Sequence, residues 1–583
     1  MSASYWESDN IIRIGETQIS VPSENGLSYT SGQRISLFVP PSAKFISGKD
    51  CYLEFDIKLA GGSIPTRLQL DPMGGSCVMR NLRIWDGTRG NLLEEINDYN
   101  AVVAMKYDYN ADDSLRQTRA LVEGGTAYNP RYRGNKGTSE SHLTELHQNP
   151  YFRAESEGVL TTDWSDADAT TAKCCVPIHS GVFGDRIFPC MMTNGLYLEI
   201  DLAPAQQVIK QLDSVNKNVR TGRNVFFDSI DGDAASDWTN DDVNRTAFYV
   251  SAEDNELGND VTNFPFCVGE TFRFMKYNDP ADLDAMSGVM TISQINASAG
   301  AGRIQVHINA TNIPAGSGAA KSITRDWVMW STAMSTGVTT NLQYTVSNVN
   351  LVVQEIQLDP SYEAGMLAKA REGKSIEIDI YSVTNHKHSV LSTERQVTYN
   401  IHSNNSRAKS LIIMPVDSTI YTPGNQVAGE GTYQIGPYVN AVPSEDEMDT
   451  SLTSMKTGYS GCIDGLTSSQ FLVGGVLVPS RPVQTKKMVT KQSVDAYHLF
   501  ELEKALSQAG IDPRSFSAFQ SNFLIGRAFG LQSGVMDLRN HDLQVLLNYE
   551  SLDFAPAKNK VFNNFVFHVR KLIIRNGAVS VEF

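Results

Sequence analysis

The feature that most constrains this chain is a series of short segments in which apolar residues occupy every second position. Ile35–Val39, Tyr52–Leu59 and Leu196–Leu202 show this alternation in the first part of the chain, and Ser375–Tyr381 and Phe565–Ile574 show it further on. Successive side chains of a strand point to opposite faces, so this period predicts strands that are buried on one face. Many glycines (44) and prolines (22) separate the segments, as expected for turns. The chain is therefore predicted to be mainly β.

Helical patterns are few. Ser493 is a predicted N-cap for a helix over Val494–Ala509, which Gly510 would end. Two further short helices are predicted over Leu92–Tyr107 and Pro360–Arg371. Helices inserted between the strands of a sandwich are usually excursions of loops, so they do not change the fold class.

One long stretch, from about Gln206 to Ala320, differs in composition from its flanks. It is rich in Asp, Asn, Ser, Gly and Ala, and ordered patterns return within it over Asn263–Lys276 and Val289–Asn309. A long insertion in a surface loop costs little chain entropy and often carries exposed function. We interpret this stretch as a partly structured insertion.

The two halves of the chain show a faint internal repeat. Each half has an early strand, a polar turn that leads into a second strand, and a late strand. The three pairs are Tyr52–Leu59 with Ser375–Tyr381, Ser76–Trp85 with Asn405–Ile413, and Leu196–Leu202 with Leu543–Tyr549. Two consecutive sandwiches of one topology would produce this order.

The charge of the chain disfavours nucleic-acid binding. Lysine and arginine number 49 and aspartate and glutamate 65, which gives a net charge of −16 and an isoelectric point near 5.2. An acidic chain repels a phosphate backbone unless it carries a local basic stripe. The longest basic cluster, Arg570–Lys571 with Arg575, is too small to form one and lies in an apolar strand pattern.

The cysteines and the apolar runs predict where the chain folds. Seven cysteines are scattered without a CxxC pair, which predicts buried free thiols in a reducing compartment. The first 20 residues lack the apolar core of a secretory signal, and no run of about 18 apolar residues occurs. We therefore expect synthesis in the cytosol and no transmembrane segment.

Several segments, in order along the chain, resemble the major capsid proteins of Polinton-like viruses, adintoviruses and virophages. Four segments resemble the N-terminal part of those proteins, namely Ile35–Pro40, Tyr52–Ile57, Arg80–Gly87 and Leu93–Asn100. The late strands of its first jelly roll are resembled by Cys175–Phe183, Ile187–Pro189 and Gly195–Leu202. The second jelly roll is resembled by Tyr344–Val353, Ser406–Ile413 and the C-terminal Val569–Phe583. The resemblance runs from about residue 30 to the end, and the order of the segments is its specific part.

The resemblance implies a double jelly roll, that is, two consecutive jelly-roll β-sandwiches with a long insertion and a few short helices. The implied division is an N-terminal arm over 1–30, a first jelly roll over 31–358 that contains the insertion as an outer tower, and a second jelly roll over 359–583. The arm is expected to reach beneath a neighbouring molecule, because Met1–Thr30 is polar and lacks a clear strand pattern.

The implied function is that of a structural protein, not an enzyme. Three chains would form a homotrimeric, pseudo-hexagonal capsomer, and capsomers would tile an icosahedral capsid around a double-stranded DNA genome. The implied partners are neighbouring capsomers, penton proteins and minor capsid proteins, without sequence-specific contact to nucleic acid. The implied location is the virion, after assembly in the cytoplasm or nucleus of a host.

Two motifs were weighed as catalytic or phosphate-binding sites and interpreted as structural. Gly373-Lys374-Ser375 is similar to the end of a phosphate-binding loop, but the glycine required five positions earlier is Ala368, and the motif follows a predicted helix rather than a strand. The adjacent Cys174 and Cys175 could form a redox pair, but cysteines at the start of a strand are usually packed or free.

Two clusters were weighed as metal sites. His386 and His388 flank Lys387 and are expected on one face of a loop. The acidic residues of the insertion lack the glycine that a calcium loop requires, since that position is Ser236. These acidic residues are Asp231, Asp233, Asp237 and Asp242. The sequence therefore assigns no catalytic, cofactor-binding or metal-binding residue, and it implies no cofactor.

The main alternative is a β-sandwich that binds carbohydrate or hydrolyses glycosides. Its paired carboxylates are a feature of tertiary structure, so the sequence leaves this alternative open. Six tryptophans, of which only Trp327 and Trp330 lie close together, disfavour a sugar-stacking cleft. A fibre or adhesin would show short repeats, and the sequence shows none.

Overall fold

The computed structural model describes residues 13–42, 44–60, 68–70, 73–110, 119, 122–124, 171–184, 186–211, 218–220, 247–251, 271–276, 290–296, 303–308, 327–331, 343–391, 393–418, 461, 466–485, 496–513, 523–530, 534–539, 541–549 and 559–582. The elements below are those of these residues.

The first part of the chain is built from strands, with one long helix. The strands are β1 (Arg13–Pro22), β2 (Ser28–Thr30), β3 (Arg34–Val39), β4 (Phe45–Ser47), β5 (Tyr52–Ala60), β6 (Leu68–Leu70), β7 (Met79–Asp86), β8 (Leu92–Asn97), β9 (Thr171–Pro177), β10 (Ile187–Phe188) and β11 (Leu196–Leu202). Helix α1 (Tyr99–Asn110) follows β8, and a short helix α2 (Ala205–Val208) follows β11. Single turns of 3₁₀ helix lie at Gly48–Asp50, Gly74–Val78 and Cys190–Met192.

The insertion and the second part of the chain continue this pattern. Between α2 and β19, in a stretch that runs past the predicted end of the insertion at Ala320, lie β12 (Ile209–Gln211), β13 (Asn218–Arg220), β14 (Ala247–Ser251), β15 (Thr271–Lys276), β16 (Met290–Asn296), β17 (Arg303–Ile308) and β18 (Trp327–Ser331). It is followed by β19 (Gln343–Leu358), helix α3 (Pro360–Arg371), β20 (Ile376–Val390), β21 (Gln396–Ile401), β22 (Ala408–Asp417), β23 (Leu466–Val473), β24 (Val476–Gln484), helix α4 (Ala496–Gln508), β25 (Ile525–Ala528), β26 (Leu543–Tyr549), β27 (Lys560–Arg575) and β28 (Ala578–Glu582).

The strand order identifies the first sandwich as a jelly roll. Its eight principal strands, lettered B to I in chain order, are β1, β3, β5, β7, β8, β9, β11 and β19. One sheet has the order β1-β19-β5-β9, which is B-I-D-G, and the other has the order β3-β11-β7-β8, which is C-H-E-F. These two antiparallel sheets are those of a jelly roll.

The second sandwich repeats this order strand for strand. Its strands B to I are β20, β21, β22, β23, β24, β25, β26 and β27. One sheet reads β20-β27-β22-β25 and the other reads β21-β26-β23-β24, again B-I-D-G and C-H-E-F. The chain is therefore mainly β and forms a double jelly roll, which confirms the predicted fold class.

The internal repeat was predicted correctly in kind but misaligned in part. Leu196–Leu202 and Leu543–Tyr549 are both strand H, so the late pair is confirmed. The two earlier pairs are wrong by one or two strands, because Tyr52–Leu59 lies in strand D and Ser375–Tyr381 in strand B. Alternation alone marks a strand as half-buried and does not say which strand of the sandwich it is.

The predicted N-terminal arm needs a correction. Residues Arg13–Pro22 form strand B of the first sandwich and pair with β19 from Leu358 to Asn350. The part of the arm before Arg13 lies outside the described residues. Strand β1 escaped detection because Val21 is its one buried residue, so its sequence lacks the apolar alternation of a half-buried strand.

The helix predictions are confirmed with one correction. Pro360–Arg371 is a helix as predicted, and α4 lies within the predicted Val494–Ala509, although Ser493 lies outside the described residues. The predicted helix over Leu92–Tyr107 is instead a strand followed by a helix. Asp98, in the left-handed region at φ 53°, separates the two elements.

The insertion forms a sheet of its own between strands H and I of the first sandwich. Its order is β13-β18-β15-β16-β17-β14, while β12 pairs with β6. The two segments predicted to be ordered, Asn263–Lys276 and Val289–Asn309, contain β15 and β16–β17. The described strands of the insertion therefore form a subdomain attached to the first sandwich.

The four longest connections leave the same end of the sandwiches. In an antiparallel jelly roll, connections B–C, D–E, F–G and H–I lie at one end, and C–D, E–F and G–H lie at the other. The longest four are F–G and H–I of the first sandwich and D–E and F–G of the second. We call the first end the loop-rich end and the opposite end the base.

Candidate assembly surfaces

The two sandwiches stand side by side in the same orientation. At the loop-rich end, the Asp512 N–H donates to Asn110 Oδ1 at 2.8 Å, and both residues belong to F–G connections. At the base, Thr193 forms a parallel bridge with Gly577, and Asn91 Nδ2 donates to the Val579 carbonyl at 2.9 Å. The loop-rich ends of the two sandwiches therefore lie side by side, and so do the two bases.

A buried carboxylate holds the base of the junction together. Glu94, in β8, is fully buried and accepts hydrogen bonds from the N–H groups of Gly181 at 2.9 Å and Val182 at 3.3 Å. Burial raises its pKa, whereas these bonds, the nearby hydroxyl of Ser382 and the charge of Arg570 lower it. A buried carboxylate without such partners would be strongly destabilising. Glu94 thus links strand F of the first sandwich to strands B and I of the second.

Close backbone approach is the second feature of this junction. A β-carbon at Gly181 would lie 2.3 Å from the carbonyl oxygen of Tyr381 in β20, closer than any side chain permits. Glycine is therefore required at this point for the first sandwich to reach the backbone of the second.

An ion pair joins the sandwiches further along β20. Asp98 is buried, and its carboxylate accepts from Lys387 Nζ at 2.7 Å and from Asn385 Nδ2 at 2.8 Å. Asn385 also donates to Asn563 Oδ1 at 3.1 Å. This polar network fixes the turn after β8 against strands B and I of the second sandwich.

Apolar packing makes the junction continuous with the core. Residues of β20, β27 and β28 join the hydrophobic cluster of the first sandwich, namely Ile376, Ile378, Ile380, Val383, Phe565, Phe567, Leu572, Ile574 and Val579. The whole run from Phe562 to Arg570 is buried, so the centre of β27 is covered on both faces. Each such aliphatic or aromatic side chain contributes about 1.5–3 kcal/mol on burial, so the junction is a permanent contact.

A cavity of about 1100 Å³ opens between the sandwiches. The carboxylates that line it among the described residues all have partners. Asp50 accepts from Ser47 Oγ at 2.6 Å, Asp379 pairs with Arg407 at 2.8 Å, and Glu94 is bound as described above. Each described carboxylate of the cavity is therefore engaged in a hydrogen bond or an ion pair.

In contrast to the junction, two edge strands are exposed. Strand β24, the F edge of the second sandwich, has Val476 and Leu477 exposed by 63% and 45%. Strand β1, the B edge of the first sandwich, has Ile14 exposed by 54%. Pro479 and Pro482 interrupt the hydrogen-bonding potential of β24, which discourages uncontrolled strand addition at that edge.

The candidate phosphate-binding and redox motifs of the sequence lie in a turn and in a strand. Gly373 has φ +72° in the turn between α3 and β20, which confirms the turn interpretation of Gly373-Lys374-Ser375. Cys174 is buried and Cys175 half-buried in β9, and neither forms a disulfide bond within the described residues. Successive strand residues point to opposite faces, so the two thiols do not form a pair.

The histidine pair lies on a strand, which corrects the prediction of a loop. His386 and His388 belong to β20, and His388 stacks on Tyr399 with ring centroids 4.2 Å apart. Burial lowers the pKa of both. The four aspartates weighed as a calcium loop lie outside the described residues.

Two properties hold for the described part of the chain. It contains no group of three or more His, Cys, Asp or Glu side chains arranged to bind a metal ion. None of its helices has both the length and the apolar character needed to cross a membrane.

Sequence reasoning missed Glu94 and Asp98, the two acidic residues of the junction. One signal for Glu94 was present. Glu94 and Glu95 are adjacent in a strand, so one of the two side chains must point to the face away from solvent. Asp98 has no comparable signal, because its partners Asn385 and Lys387 are remote in sequence.

No protein-family model matches this chain, and no curated protein matches its sequence. Among solved structures, VP54 of PBCV-1, fitted into a reconstruction of the virophage Sputnik, is similar with a TM-score of 0.47 and 11% identity over 98% of this chain and 97% of that chain. The Faustovirus major capsid protein has a TM-score of 0.46 and 8% identity over 96% and 90% of the two chains. The mavirus major capsid protein has a TM-score of 0.35 and 10% identity over 100% and 94%.

The fold assignment depends on the strand order and not on these similarities. All three TM-scores lie below 0.5, so the assignment of a double jelly roll rests on the strand order of the chain itself. Two of the three structures are described as major capsid proteins, the class that the sequence segments resemble.

Proposed function

We propose that the protein is the major capsid protein of a double-stranded DNA virus. Three copies form a pseudo-hexagonal capsomer, and capsomers tile an icosahedral shell. The observation that carries this proposal is the junction: two sandwiches of identical strand order stand side by side in one orientation. Such a chain supplies two adjacent positions of a six-membered ring, and three chains complete it by closed symmetry.

The two ends of the molecule suit the two sides of a shell. The loop-rich end carries the insertion sheet, and we assign it to the outside, with the insertion as the tower. The base carries short connections, helix α3 and the start of β1 at Arg13, and we assign it to the inside. There the segment before Arg13 reaches beneath a neighbouring capsomer, and penton and minor capsid proteins bind between capsomers.

This role requires no catalytic residue and no contact with bases of the genome. The acidic charge of −16 fits a shell that encloses DNA without binding it specifically. The alternative of a glycoside hydrolase finds no support at the cavity, where Asp50, Glu94 and Asp379 are each engaged by a partner.

The mass of the purified full-length chain in solution tests the proposal. We expect a particle of three times the 64.1 kDa chain mass by mass photometry, and a ring of six lobes by electron microscopy of the same sample. A monomer that persists at micromolar concentration, where obligate interfaces are saturated, would contradict the capsid role.

A further inference from the structure

We infer that strand β24 of one chain covers strand β1 of the next chain in the capsomer. This inference rests on the proposed function and names the surfaces that hold the trimer together. It follows from the internal repeat: the contact that one chain makes between its own two sandwiches is repeated between chains.

The contact within the chain supplies the template. Strand F of the first sandwich, β8, packs against strand B of the second, β20. Leu92, the first residue of β8 after the E–F turn, is half-buried, and Leu93 is fully buried. On the other side, Ile376 and Ile378 at the base of β20 are buried. Strand F of one sandwich therefore covers strand B of the next.

At the other ends of the chain the same two strands are largely exposed among the described residues, although helix α4 contacts part of β24. Strand F of the second sandwich begins with Val476 and Leu477, which occupy the places of Leu92 and Leu93 after the E–F turn and are exposed by 63% and 45%. Strand B of the first sandwich has Ile14 at its base, exposed by 54%. Apolar side chains are thus exposed on the two surfaces that the repeat leaves unpaired.

The occupant of each surface is a second copy of this chain. The two exposed strands are different surfaces of one molecule, so their contact is heterologous and runs head to tail. Such a contact forms a closed ring when the rotations from one sandwich to the next add up to a full turn. Because each chain contributes two sandwiches, three chains fill the six positions of this ring. The exposed edge strands are then paired or covered in the assembly, which removes the aggregation risk that they pose in a monomer.

Thiol cross-linking tests the contact directly. Chains with Ile14→Cys and chains with Leu477→Cys, each with its own affinity tag, are co-expressed, and the purified trimers are treated with a short bifunctional maleimide. We expect covalent dimers that contain both tags, several-fold above the parent chain, whose seven native cysteines set the background. The matched control pairs Ile14→Cys with Leu391→Cys, since Leu391 is 58% exposed but lies at the loop-rich end of β20.

The outcomes separate the inference from the proposed function. Trimers that give no more two-tag product than the parent or the Leu391→Cys control would overturn the inference while the capsid role stands. A parent chain that forms no trimer would overturn the capsid role, and the inference with it.

A charge at the same surface gives a second readout. Leu477→Asp should weaken trimerisation at least about tenfold, as expected when a charge enters the centre of an apolar contact. Leu391→Asp, at a position that is even more exposed in the monomer, should leave the trimer intact. Unchanged trimerisation of Leu477→Asp would contradict the inference. If that variant fails to fold, the cross-linking experiment alone decides.

Discussion

Strand B has the same place in both sandwiches and very different surroundings. In the second sandwich, β20 is covered along its base half by the first sandwich and begins with the apolar alternation Ile376, Ile378, Ile380. In the first sandwich, most of β1 is exposed among the described residues, and Val21 is its one buried residue. The comparison teaches that the sequence of a strand reflects what covers it more than its position in the fold.

The largest expected effect concerns the carboxylate that the covered strand depends on. Glu94→Leu should reduce the free energy of unfolding by about 3–5 kcal/mol, because it removes the negative charge that most favours the buried Arg570 cation and leaves the N–H groups of Gly181 and Val182 without this acceptor. Urea denaturation measures it. The control is Glu95→Leu at the neighbouring, half-buried position, which pairs with Arg83 on the opposite face. An equal loss for both variants would contradict a special role of Glu94.

The second expected effect is a dependence of stability on pH. His568 lies buried in β27 with Nε2 2.8 Å from Thr384 Oγ1, and burial, together with Arg570 and His386, lowers its pKa from 6.5 to about 3. The neutral form is favoured in the folded state, so its contribution is fully present above pH 6.5 and is lost as the pH falls towards 3. The slope for one proton is about 1.4 kcal/mol per pH unit.

The measurement for His568 is a difference between two proteins. Urea midpoints of the parent chain and of His568→Gln are compared between pH 7 and pH 4, which cancels the titration of the other groups. We expect the parent chain to lose more stability than the variant on acidification. Parallel curves would show that His568 does not take up a proton on unfolding in this range.

Much of the fold was predictable because it depends on local alternation. Strands such as Tyr52–Leu59 and Leu196–Leu202, the helix Pro360–Arg371 and the tandem of sandwiches all follow from patterns within one segment or from their order. Strand β1 was not predictable in this way, since no apolar period marks a strand that the chain leaves exposed. For that reason the sequence predicts an arm at this position.

The contacts of the junction could not be predicted from the sequence, for a different reason. Glu94 and Arg570, or Asp98 and Lys387, come together only when two sandwiches dock, and charged residues at strand positions normally indicate a solvated face. Pairing between remote residues leaves no periodic signal in one sequence. The same limit applies to Gly181, whose neighbour Tyr381 lies in the other sandwich.

The third prediction enlarges the side chain at the point of closest approach. Gly181→Val should destabilise the chain by about 1–3 kcal/mol, because its β-carbon would meet the Tyr381 carbonyl and the backbones would have to separate. Gly365→Ala in helix α3 is the control, because nothing lies within 4 Å of its β-carbon position. Alanine there should stabilise slightly, since it is a better helix former. Thermal unfolding of both variants measures the difference, and an unchanged Gly181→Val would show that the junction yields easily.

The last comparison is between a covered ion pair and an exposed one, and the exposed pair should give the smallest effect. Asp98–Lys387 crosses the junction, with Asp98 buried, whereas Lys173–Glu54 lies on the exposed outer face of the first sandwich. Asp98→Ala should cost about 1–3 kcal/mol because it removes the acceptor of one hydrogen bond from Lys387 and of one from Asn385. Glu54→Gln should leave the urea midpoint of the monomer unchanged, because water screens an exposed pair. If Glu54→Gln instead proved as costly as Asp98→Ala, the outer face of the first sandwich would have to be covered already, and the contrast between the two sandwiches would fail.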